Sequence, residues 1–162
     1  VMIADISWHE YQMAAQVGVS RKSQSINLGH KDRYGSVWNP INDIGWSVVS
    51  AVSELAVAKC LKMYWDGSVN TFSRPDLEGI EVKAQLHHSI DPHKTSNFLV
   101  VKPNADDELV HVLVLVHSNT RYEVVGFIKG KNAKIKQFER QVNNRPPFYA
   151  VPIDELTDMR ML

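Results

Sequence analysis

Apolar residues recur at three- and four-residue steps between positions 44 and 63, where Val48, Val52, Leu55, Ala56, Cys60 and Met63 form one stripe. That spacing predicts a helix buried along one face, opened by Asn42 or Asp43 as its cap. From about Ile80 the period changes to two. Glu81, Lys83, Gln85 and His87 fall on one side of a strand, and Val82, Ala84 and Leu86 on the other, apolar side. Residues 109–117 are nearly all aliphatic, as in a strand covered on both faces, and residues 121–128 make its hairpin partner across Ser118-Asn119-Thr120.

Weaker signals fill in the rest of the chain. Ser7 and Glu10 have the spacing of a capping box, so a helix is expected from Trp8 to about Gly18. Residues 20–30 keep enough periodicity for a second helix or a bent continuation. Residues 34–40 read as a loop from their turn residues, and 69–72, 98–102 and 149–151 as short strands. Residues 131–141 read as a short helix, and a final turn starts at Pro152. Helices around one mixed sheet give an α/β (α+β) class. We expect a single domain over 1–162, with an N-terminal helical arm at 1–40 and the core at 41–162.

Composition narrows the class without selecting a function. The 162 residues are 44% hydrophobic and 22% charged, which is ordinary for a globular chain. No apolar run reaches the ~20 residues of a membrane span, and the start at Val1 lacks the regions of a signal peptide, so no membrane partner is expected. The single cysteine, Cys60, suits a reducing cytosol; we expect a cytoplasmic protein. A formal net charge of zero argues against a chain coated in nucleic acid but not against a local basic groove.

The chemistry lies in Arg74-Pro75-Asp76-Leu77-Glu78-Gly79-Ile80-Glu81-Val82-Lys83-Ala84. An isolated Glu-x-Lys on a strand is ordinarily a solvated pair worth ~0.2–1 kcal/mol, and a lone Asp in a turn usually bonds its own backbone. The whole run carries more. Pro75-Asp76 leads into Gly79-Ile80-Glu81-Val82-Lys83-Ala84, and Glu54 lies upstream on the predicted helix. This resembles the PD-(D/E)XK, or restriction-endonuclease-like, nuclease superfamily. The short Asp-x4-Glu-x-Lys spacing is most similar to the branch of the methyl-directed mismatch-repair nicking endonuclease. Residues 64–74 and 126–134 also resemble small phage-encoded proteins, which would place the chain in a host cytoplasm.

The resemblance implies an αβββαβ core and metal-dependent hydrolysis of DNA. Asp76 and Glu81 would ligate Mg²⁺ or Mn²⁺, the Val82 carbonyl would be a third oxygen, and Glu54 would complete the site from the helix. Lys83 would act on the water or the developing charge. Gln85 and His87 continue the same face and are expected to touch substrate. Lys131 and Lys134, in a basic cluster with Lys129, Lys136 and Arg140, would contact phosphates, and Arg21, Lys22, His30, Lys31 and Arg33 offer a second basic stretch. His87, His88 and His93 have no cysteine set or zinc spacing, so no Zn²⁺ site is expected. A homodimer is compatible with all of this, as is an inactive fold of the same kind that only binds nucleic acid or protein.

Overall fold

The computed structural model describes residues 1–29, 39–69, 73–91, 93 and 96–162. It opens on a strand that periodicity did not reveal, β1 (Met2–Asp5). Helix α1 (Trp8–Asn27) follows, and its capping box forms: Glu10 N–H donates to Ser7 Oγ at 3.2 Å, and Ser7 N–H to Glu10 Oε2 at 2.8 Å. The helix runs straight through Gly18 instead of ending there. Gly18 is where α1 crosses helix α2 (Pro40–Leu61), and a Cβ on it would lie 2.5 Å from the Ser47 carbonyl oxygen and 2.7 Å from Val48 Cα. The glycine therefore marks a close backbone approach. Alanine there gains ~1 kcal/mol of helix propensity but must push two backbones apart, at ~1–3 kcal/mol or more. Gly18→Ala should lower the urea midpoint; an unchanged or higher midpoint would contradict this crossing.

Helix α2 begins earlier than expected because Asn39 caps it, accepting from Ile41 and Asn42 N–H with Pro40 in the first turn. It ends at Lys62, which turns left-handed at φ 56°. By length and composition α2 is long and apolar enough to cross a membrane, although no unbroken apolar run in the sequence reaches that length. In the fold, its small buried residues Ala51, Val52, Ala56, Val57 and Ala58 pack into the core. The described basic residues of the N-terminal stretch tie α1 to α2: Arg21 pairs with Glu54 at 2.6 Å and Lys22 with Asp43 at 2.9 Å. His30, Lys31 and Arg33 lie outside the described residues.

Four strands form a mixed sheet in the order β1-β5-β4-β2, from β2 (Ile80–Leu86), β4 (Val110–Ser118) and β5 (Arg121–Lys129) with β1. β2 runs parallel to β4, while β4–β5 and β1–β5 are antiparallel. A second, antiparallel sheet has the order β3-β7-β6, from β3 (Phe98–Val101), β6 (Glu139–Arg140) and β7 (Phe148–Pro152). β4 is covered on both faces, as its aliphatic run predicts. Val112, Val114 and Val116 join the helix-side core with Val52, Ala56 and Val57, while Leu113 and Leu115 join a second core with Leu99, Val101 and Val151.

The α/β class with a mixed sheet and helices is thus observed. The helix expected at 131–141 is not. One turn, α3 (Gly130–Ala133), gives way to a 3₁₀ turn at Lys136–Phe138 and then β6. The cause is docking. Gly130 N–H bonds Leu109 O, Lys131 N–H bonds Asp107 O, and Phe138 is drawn into the second core. The strand expected at 69–72 falls mostly on residues outside those described.

Candidate active site

Residues 76–82 make a small device at the sheet margin. Leu77 and Ile80 exchange two backbone hydrogen bonds of 3.1 Å across Glu78-Gly79, and Gly79 supplies the positive φ of 72° that this two-residue turn requires. Asp76 is thereby folded back beside its own strand. Its Oδ2 accepts from Val82 N–H at 2.7 Å. β2 is the last strand of its sheet, and a residue's N–H and C=O share one strand edge. The Val82 carbonyl therefore lies on the same outer edge as the Asp76 carboxylate.

Three acids surround this edge. Glu81 comes from one face of β2 and Glu54 from α2 across the other, both near enough for their charges to act on Asp76, though the three do not all lie within 4.8 Å of one another. Burial pushes the Asp76 carboxyl up to about 7, and the charges of Glu54 and then Glu81 push the same way. The Val82 amide and Lys83 oppose them only in part. Lys83 Nζ bonds Glu81 Oε1 at 3.0 Å. Glu54 is only 3% exposed, and both its oxygens have donors: Arg21 Nη1 at 2.6 Å and Trp65 Nε1 at 3.0 Å. Arg21 Nε also reaches Ser68 O at 2.7 Å, so this arginine supports the site from within.

Two clefts meet here. Asp76 opens on one of about 680 Å³ that also touches Met63, Tyr64 and Glu78. Glu81 and Lys83 line another of about 410 Å³ with Lys102, Asn104 and His111. Arg74 and Pro75 belong to both walls.

His111 escaped the sequence reading. It stands in register with Glu81 across the parallel β2–β4 pair, 1% exposed. Among the described residues neither ring nitrogen makes a hydrogen bond, although the Asp106 backbone lies near enough to favour the protonated ring slightly. Burial, followed by the Lys83 charge, holds the ring below its ordinary pKa and so favours the uncharged imidazole beside the Glu-x-Lys pair. One histidine inside an aliphatic strand was the available signal, but its pairing with Glu81 is a matter of register.

Four expected substrate contacts are not gathered at this site. The Gln85 amide is used internally: Nε2 donates to Phe98 O at 2.7 Å and Oε1 accepts from Asn97 Nδ2 at 3.1 Å, tying β2 to the second sheet. His87 lies six residues beyond Glu81, ~20 Å along the strand, stacked on His117 with ring centroids 4.3 Å apart. Lys134 bonds the Ala105 carbonyl and pairs with Asp107 at 2.7 Å, and Lys131 pairs with Glu108 at 3.6 Å. The acidic turn Asp106-Asp107-Glu108 thus pairs with two lysines of the basic cluster.

A mixed α/β sheet with an acid-rich, lysine-bearing edge is the class that fold and site define. No protein-family model, curated protein or solved structure matches the chain.

Proposed function

We propose that the chain is a metal-dependent nuclease that hydrolyses phosphodiester bonds in DNA, with the restriction-endonuclease-like chemistry that residues 75–83 resemble. The observation that carries this reading is the folding of Asp76 back onto the edge of the strand bearing Glu81 and Lys83, with a third acid, Glu54, close enough to raise its pKa. Neighbouring carboxylates with a carbonyl on the same edge are an all-oxygen donor set, the kind that Mg²⁺ or Mn²⁺ takes; the three acids do not all lie within 4.8 Å of one another, so side-chain movement would have to close them on an ion. Asp76, Glu81 and the Val82 carbonyl would hold the ion, and Glu54 would add its charge from the helix. When bound, such an ion makes water a nucleophile at neutral pH and offsets the charge of the phosphoryl oxygens.

The remaining work falls to the chain itself. Lys83 brings a positive charge to the cleft side of Glu81, where it can orient the attacking water or stabilise the extra negative charge of the transition state. Arg21 and Trp65 fix the Glu54 carboxylate and limit its repulsion of Asp76. Arg74 lines both clefts and pairs with Asp66 at 3.6 Å; exchanging that partner for a phosphate would give the substrate a cationic contact.

A second reading is supported by the pairing of Glu54 with Arg21 and of Glu81 with Lys83. Acids balanced in this way also suit a fold that binds nucleic acid or protein without cutting. Supercoiled plasmid incubated with the protein and Mn²⁺ or Mg²⁺ separates the two. The nuclease reading requires nicked or linear product that is lost with a chelator. DNA retarded on a gel but left intact under every divalent ion would establish the binding module instead.

A further inference from the structure

We propose that His87, His117 and Glu123 form a binding site for a borderline transition-metal ion, Zn²⁺ foremost, separate from the carboxylate edge. Each residue offers one ligand atom, and these atoms all lie within 4.8 Å of one another. They come from three neighbouring chain segments: His87 just past the end of β2, His117 on β4 and Glu123 on β5. Backbone pairing already fixes their approach, since His87 N–H bonds Val116 O at 3.0 Å and Leu115 stands opposite Glu123. The β4–β5 register shifts between Val116 and Ser118, an irregularity of the kind that re-aims a side chain, and His117 is the residue inside it.

The donor set selects the ion. Two imidazoles and one carboxylate suit Zn²⁺, whereas Mg²⁺ demands oxygen in octahedral array. Bonds of ~2.0–2.1 Å in a tetrahedron set ligand atoms about 3.3 Å apart. His117 Nε2 and Glu123 Oε2 are now 2.6 Å apart, and the His87 and His117 rings are stacked within 25° of parallel. Binding would therefore need the first contact to open from 2.6 Å by less than about 1 Å and the others to close from at most 4.8 Å. Ser89 orients the His87 ring, with its Oγ 2.6 Å from Nδ1 and its backbone N–H donating to Nδ1 at 3.2 Å, so a metal bound through Nε2 would displace that nitrogen's proton. All three residues are half-buried, and three protein ligands leave a fourth position for water or a phosphate oxygen. No spacing in the sequence announces this set, because strand pairing brings together residues 30 and 36 positions apart.

Co²⁺ is the probe, since a tetrahedral Co²⁺ complex absorbs visibly. Titrating Co²⁺ into the full chain should produce one equivalent of absorbing complex, displaced by Zn²⁺ and indifferent to excess Mg²⁺. The complex should persist in Asp76→Asn and Glu81→Gln, which lie at the other site. It should weaken by at least about tenfold in His117→Ala, and likewise in His87→Ala and Glu123→Gln, two changes at partly exposed positions that serve if His117→Ala fails to fold. Absence of an absorbing complex in the unaltered chain would overturn the site. So would its survival in both His87→Ala and Glu123→Gln, or its loss in Asp76→Asn.

Discussion

Asp76→Ala and Glu81→Ala will lose divalent-metal binding and cleavage together, whereas Lys83→Ala will keep the ion and lose about 10²–10³ of the single-turnover rate. The division follows from what each group can do. Carboxylates ligate a hard cation; an ammonium group cannot. Lys83 sits 3.0 Å from Glu81 and is among the charges that partly offset the acids around Asp76. Removing it makes the edge more negative, so Mn²⁺ affinity in Lys83→Ala should equal or exceed that of the parent. DNA binding should move the other way. Two carboxylates beside a phosphate backbone repel it unless a cation lies between them, so Asp76→Ala and Glu81→Ala should bind substrate as well as the parent or better. Calorimetric Mn²⁺ titration beside single-turnover cleavage reads both quantities. Equal metal loss in all three variants would remove Lys83 from its catalytic role. Undiminished cleavage in Lys83→Ala would sink the nuclease reading.

The parts of this site that depend on local pattern were legible in the sequence. The period-two alternation of residues 80–87 sets Glu81 and Lys83 on one face, and Pro75-Asp76 with Gly79 marks a turn just before that strand. The stripe of α2 and the aliphatic run of β4 are properties of contiguous residues, and both elements are present. What escaped depends on partners distant in sequence. Glu54 could be placed on a helix, but Arg21, which balances its charge, comes from another helix 33 residues away. Gln85 alternates correctly with Glu81 and Lys83, yet its amide is occupied by Phe98 and Asn97 of the segment leading into the second sheet. Gly18 looked like a helix stop because the neighbour that requires a glycine is Ser47. β1 has four residues, too few to show a period. The helix expected at 131–141 had suitable residues locally, but the acidic turn at 106–108 and the burial of Phe138 redirect the chain.

In the absence of metal, Asp76→Asn will make the protein more stable at pH 8 while removing its activity. A carboxyl moved from 3.8 to about 7 keeps its proton in the fold over a span of pH in which the unfolded chain has lost it. Below about pH 4 both states hold the proton, and the protonated Asp76 contributes its full stability. Between about 4 and 7 the unfolded state ionises first, so stability falls with rising pH by up to 1.36 kcal/mol per pH unit. Above 7 both states are ionised and the loss is complete, on the order of 4 kcal/mol across about three pH units. Asparagine keeps an oxygen for the Val82 N–H bond and carries no charge to repel Glu54 and Glu81. The variant should therefore lack this slope. In a chelator, its advantage over the parent should be absent near pH 4 and greatest near pH 8, where it corresponds to ~10 °C in melting temperature for a chain of this length. Mn²⁺ should restore the parent at pH 8 and leave Asp76→Asn unchanged, because the ion removes the repulsion by binding the ionised carboxylate. Urea unfolding of both proteins at pH 4 and pH 8, with and without Mn²⁺, reads both ends of this dependence. An Asp76→Asn protein less stable than the parent at pH 8 in chelator would mean that the Val82 amide and Lys83 already satisfy the carboxylate. The electrostatic reason for a cation at this edge would then be gone.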